Sequence, residues 1–132
     1  MAVDGLITLT SRHSPGETME RLIAAVTARG AAVLARVDHA KAADSVGLSL
    51  PPTEVVIFGN PRAGTPLMQK VQTVGIDLPL RALVWRDEAG TTRLSYNDPE
   101  WLAARHGAAA GNETALRAMR EFLAAVAKEA TG

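Results

Sequence analysis

Met19, Leu22, Ile23 and Val26 recur at helical spacing, while Glu17, Glu20, Arg21 and Arg29 fall where they can face water. The pattern predicts an amphipathic helix that opens at Ser14-Pro15-Gly16-Glu17, a capping box with proline at the first helical position, and stops at Gly30. Its apolar stripe is read as core packing. A strand is expected before it, over Val3 to Leu9, and another after it, over Ala32 to Asp38. Asp38 then suits the cap of a short helix from His39 to Val46, closed by Gly47. The continuous run Val55-Val56-Ile57-Phe58 within Thr53 to Phe58 is the pattern of a strand covered on both faces or central in its sheet.

Downstream, Leu67, Met68, Val71 and Val74 trace a short amphipathic helix ending near Gly75, and Leu78 to Trp85 is a largely apolar strand. Thr91 to Tyr96 alternates, with Thr92, Leu94 and Tyr96 on one face, so the polar turn Arg86 to Gly90 should join two strands of an antiparallel hairpin. Asp98-Pro99 repeats the cap-and-proline signal for a short helix through Trp101 and Leu102, closed by Gly107. The last helix is expected from about Asn112 to Lys128, its stripe of Leu116, Met119, Phe122, Leu123 and Val126 lying across the sheet. Five strands, mostly adjacent in sequence order, with flanking helices predict an α+β two-layer sandwich with a mostly antiparallel sheet, in a single domain over residues 1–132.

One connection is richer in special backbone residues than a turn requires. In Phe58-Gly59-Asn60-Pro61-Arg62-Ala63-Gly64-Thr65-Pro66, Gly59 and Gly64 can take positive φ, and Pro61 fixes its own φ and holds Asn60 extended. Thr65-Pro66 reads as the cap and first residue of the next helix. The unpaired N–H groups of a helix opening there, with the Arg62 guanidinium, would suit an anion. The alternative is a rigid turn in which Asn60 bonds its own backbone and Arg62 faces solvent. Gly59 and Gly64 have the spacing of a phosphate-binding P-loop, but Thr65 stands in place of the lysine and Pro61 lacks a donor, which argues against nucleotide hydrolysis.

The other candidates each have a structural counterpart. Asp38-His39 could pair as acid and base, or Asp38 could cap a helix whose first residue is His39. His13 and His106 lack ligand partners at metal-site spacing. Trp85, Tyr96 and Trp101 gather near the hairpin, where aromatics line a pocket, fill an interface or pack beneath a helix.

With 14 basic and 14 acidic residues the formal net charge is zero, so no global field draws nucleic acid or an anionic membrane. Cysteine is absent, which removes thiol chemistry and disulfides and is compatible with a reducing cytoplasm. The opening residues Met1 to Gly5 do not resemble a secretory leader, no stretch is apolar enough to span a bilayer, and neither a nucleophile elbow nor a dinucleotide fingerprint is present.

Arg36-Val37-Asp38-His39-Ala40, Val46-Gly47-Leu48, Pro51-Pro52-Thr53-Glu54, Ile57-Phe58-Gly59-Asn60-Pro61, Gly64-Thr65-Pro66-Leu67-Met68, Asp77-Leu78-Pro79-Leu80, Leu83-Val84-Trp85 and Ser95-Tyr96-Asn97-Asp98-Pro99 together resemble the Domain of Unknown Function 302 family. That resemblance implies an α+β fold with an antiparallel sheet and allows a homodimer, and it brings no catalytic residues with it.

The first expectation is therefore a noncatalytic, cytoplasmic binding or interaction module that forms a homodimer and holds a small polar or anionic ligand. Asn60, Arg62, Gly64 and Thr65 are its candidate contacts, with His39 and Tyr96 as further ones. No cofactor, metal, nucleic acid or membrane partner is expected. Two alternatives stay open: a metal-independent enzyme with His39 or Asp38 as base and Arg62 stabilising a developing anion, and a purely structural homodimer paired through the apolar hairpin.

Overall fold

A computed structural model describes residues 2–132; Met1, the first residue of the expected domain, lies outside them. The chain runs β1 (Leu6–Thr10), α1 (Pro15–Ala28), β2 (Ala32–Asp38), α2 (His39–Asp44), β3 (Thr53–Gly59), α3 (Pro61–Lys70), a 3-10 turn (Gln72–Ile76), β4 (Leu80–Arg86), β5 (Thr92–Asn97), α4 (Pro99–Arg105) and α5 (Glu113–Thr131). The five strands form one open sheet in the order β1-β5-β4-β3-β2, antiparallel at every junction. This is the expected α+β architecture: β2 to β5 meander in sequence order and β1 joins the far edge.

Local signals explain most boundaries. Ser14 Oγ accepts the Glu17 N–H at 3.2 Å and Pro15 opens α1, while Asp98 caps α4 with Pro99 as its first residue. The first strand begins three residues later than the sequence pattern suggests, because Asp4 and Gly5 turn and the Leu6 N–H bonds back to the Val3 carbonyl. Gly5 adopts φ +74°, and a Cβ there would lie 2.3 Å from the Trp101 ring, so the turn is both left-handed and pressed beneath α4. The helix expected to run to Val46 stops at Asp44, short of Gly47 at φ +76°.

Register sorts the strand residues onto two faces. One face contributes Val56, Phe58, Ala82, Val84, Leu94 and Tyr96 to the main core, where they meet Met19, Leu22 and Val26 of α1 and Leu123, Val126 and Ala130 of α5. Helices α1 and α5 thus lie side by side on this face. Burying Phe58 and Leu94 completely contributes roughly 1.5–3 kcal/mol each to the gross hydrophobic term. A smaller cluster of Leu67, Val74, Ala103, Ala108, Leu116 and Met119 joins α3, α4 and α5.

The other face presents Val37, Val55, Leu83, Ser95 and Thr8 in one row across all five strands. Val55, Ile57, Leu83 and Trp85 belong to neither buried cluster. The apolar run in β3 is therefore that of an interior strand covered by helices on one side only. Ser95 is sealed there by Trp85, whose Nε1–H donates to its Oγ at 3.0 Å, and by Thr8 at 2.8 Å.

Candidate functional site

The segment singled out by its glycines and prolines folds differently from its local reading. Helix α3 starts at Pro61, not Pro66, and Asn60 rather than Thr65 is its cap, with Oδ1 accepting the Arg62 N–H at 3.0 Å. Thr65 lies inside the helix, and Pro66 is an interior residue there. Neither Gly59 nor Gly64 takes positive φ. Two proline-first signals competed, and the earlier prevailed because Asn60, held extended before Pro61, has the side chain that satisfies the first turn. Gly59 has another reason to lack a side chain: a Cβ there would stand 3.2 Å from Cβ of Pro79, which crosses the strand end.

This corner borders an open cavity of about 350 Å3, within the usual range for small-molecule sites of roughly 300–1,000 Å3. Asn60, Gly64 and Thr65 line it, together with Leu34, Met68, Leu78, Pro79, Leu80 and Met119. Arg62 is exposed and outside the lining. The wall is predominantly apolar, and its polar side chains are Asn60, already engaged as the helix cap, and Thr65. Leu34 reaches it because the register of β2 against β3 shifts between Val33 and Ala35, leaving Leu34 without a partner and 59% exposed.

The two remaining candidates lie elsewhere. His39 is exposed at the first position of α2, where Asp38 caps the helix through the Lys41 N–H at 2.9 Å. Asp38 pairs with Glu54 and Ala32 with Gly59, so His39 and the α3 corner sit at opposite ends of the sheet, about 20 Å apart by strand rise. They share no cleft. Tyr96 is 5% exposed in the main core, and burial, then the nearby Asp98 carboxylate, raises its hydroxyl above the ordinary tyrosine range.

A polar constellation that local spacing did not reveal joins the 3-10 turn to the end of α4. His106 Nε2 meets Asp77 Oδ2 at 2.6 Å, its Nδ1 meets Thr73 Oγ1 at 3.0 Å, and Arg105 Nη1 donates to both Asp77 oxygens at 2.8 and 3.0 Å. Partial burial pushes the Asp77 carboxyl up, but the His106 hydrogen bond and the Arg105 charge outweigh it and hold the group below the usual carboxylate range. Although hydroxyl, imidazole and carboxylate stand in the order of a nucleophilic triad, Thr73 and His106 are outside the α3 cavity and Arg105 occupies the carboxylate. The cluster fastens two elements. Among the described residues no group of three His, Cys, Asp or Glu side chains could hold a metal ion, and no helix is long and apolar enough to cross a membrane.

Comparison with known proteins places this geometry in a family. The chain is 49% identical over 128 residues to a Brucella suis protein named "Fluoride-specific ion channel FluC 1", covering 97% of this chain and 50% of that one. It is equally identical over 128 residues to "Fluoride-specific ion channel FluC 2" of Brucella melitensis, covering 47% of it. The chain thus spans about half the length of the curated relatives it matches. A crystal structure of an uncharacterized conserved protein from Bacillus stearothermophilus, described as DUF302, superposes with a TM-score of 0.87 over 97% of this chain and 99% of that one, at 22% identity. That likeness is one of fold. A family profile matches residues 7–126, nearly the whole of the sheet and its helices, and the chain belongs to the family described as domain of unknown function DUF302.

Proposed function

We propose that this chain is a noncatalytic binding module of the cytoplasm, and that the cavity beside α3 takes a small molecule with an apolar body. The observation behind this reading is that three of the residues singled out in the sequence, Asn60, Gly64 and Thr65, line an open cavity opposite apolar groups from three other parts of the chain, β2, Leu78 to Leu80 and α5. The lining shifts the ligand from the polar or anionic class, which Arg62 suggested, toward one that buries hydrocarbon. The wide separation of His39 from Arg62 weighs against the enzymatic alternative.

In the Brucella relatives the conducting function belongs, on this reading, to the half that this chain does not match, since no helix among its described residues is fit to cross a membrane. The module would then bind a ligand beside a channel rather than form one. A second feature favours the homodimer. The uncovered sheet face is about 20 Å on a side, with Val46, Leu48 and Leu50 exposed in the connection from α2 to β3. The face itself, roughly 400 Å2, would form the apolar centre of an interface whose standard size is about 800 Å2 per partner, with the flanking connection supplying part of the rest.

The ligand reading is tested with methyl-labelled methionine. Met68 and Met119 line the cavity, whereas Met19 is in the main core. Titration with a short aliphatic alcohol is expected to move the Met68 and Met119 methyl resonances and leave Met19 in place. Equal movement of all three, or of none, would count against a cavity ligand.

A further inference from the structure

The cavity beside α3 adjoins a second, of about 140 Å3, and the two share Gly59, Asn60, Ala63, Leu80 and Met119 in their walls. The smaller one continues past Phe122 to Arg29, the C-cap of α1 and the one charged residue in either lining. We infer that the ligand is an aliphatic carboxylate, its hydrocarbon in the apolar cavity and its carboxylate at Arg29. The inference rests on the cavity reading above and adds its chemical class.

Arg29 already holds a carboxylate. Its Nη1 and Nη2 donate to the two carboxylate oxygens of Glu129 at 2.6 and 3.0 Å, a fork that holds a carboxylate end on through two bonds. Glu129, outside both linings, occupies that fork, and the ligand's carboxylate must displace it. It comes from the last turns of α5, its side chain is half exposed at 52%, and an exposed pair of this kind contributes little to stability, so it can swing into water at little cost. The fork charges Glu129 as well: the Arg29 hydrogen bond holds its carboxyl below the ordinary range. An unbranched chain with one anionic end matches this arrangement. A dianion or a sugar would leave charge or hydroxyls facing Met119, Leu80 and Phe122 without partners.

The test compares decanoate with decanol, both kept below their aggregation limits, by calorimetry and by the Met68 and Met119 methyl signals. Decanoate is expected to bind severalfold tighter than decanol, the gain being limited because its carboxylate must displace Glu129 from an exposed fork. Arg29→Gln should erase that preference, and Glu129→Gln should strengthen decanoate binding severalfold by removing its competitor. Both variants lose the same ion pair, so a general loosening of the fold would affect them alike and would contradict the opposite responses expected. Equal affinities in the unaltered protein, with both methionine methyls shifting, would overturn the carboxylate and leave the cavity standing. If neither probe moves Met68 or Met119, the cavity reading fails with it.

Discussion

Gly5 shows how much can rest on one missing side chain. Its carbonyl accepts the Asp98 N–H at 2.7 Å, which ties the entry of β1 to the cap of α4, and the Trp101 ring covers the place a Cβ would occupy. Gly5→Ala meets two separate penalties: the left-handed φ costs about 1 kcal/mol, and displacing the ring adds the cost of overpacking, about 1–3 kcal/mol. In a Trp101→Ala background the second penalty disappears, since only the backbone strain remains. Urea unfolding of the single and double variants is expected to give a Gly5→Ala effect smaller by at least about 1 kcal/mol in the double variant. Equal effects in both backgrounds would mean that the ring does not press on this turn.

Among the elements, the end of α4 and the 3-10 turn are held by ionisation. Because the Asp77 carboxyl is depressed by His106 and Arg105 against the opposing push of burial, its contribution to stability is full above the ordinary aspartate range, about pH 4, and is lost as pH falls through the lowered folded value. Asp77→Asn should therefore lower the melting temperature at neutral pH, and the gap between the two proteins should close as the solution is acidified below that range. A gap that persists unchanged at low pH would assign the effect to lost packing instead. No local signal announced this cluster, since its four members come from two segments almost thirty residues apart. The elements themselves were largely readable, because Ser14, Asp38 and Asp98 cap in the manner their sequences indicate. The boundaries that moved did so where two local signals competed, as at Asn60-Pro61 and Thr65-Pro66, or where a turn cut a strand short, as at Gly5. Half of the candidate site was legible for the same reason. Asn60, Gly64 and Thr65 mark the corner, but Met68, Leu78 and Met119 reach it through tertiary packing, and Leu34 through a shift of register.

For the whole molecule the consequential asymmetry is that α1 and α5 cover one face of the sheet while Val55, Ile57, Leu83 and Trp85 stand on the other outside both cores. If that face pairs with a second copy, Leu83 lies near the middle of a buried interface, on the central strand. Sedimentation velocity is expected to give a dimer for the unaltered chain and a monomer for Leu83→Glu, whose charges would meet across the two-fold axis. A monomer at every concentration would reject the pairing. The strand order has another consequence. Of the five strands β1 is made first, yet its sheet partner β5 lies some ninety residues further on, at Arg93 to Asn97. β1 must therefore wait for that partner until the hairpin of β4 and β5 has been made, so the closing of this sheet edge comes late among the pairings of the sheet.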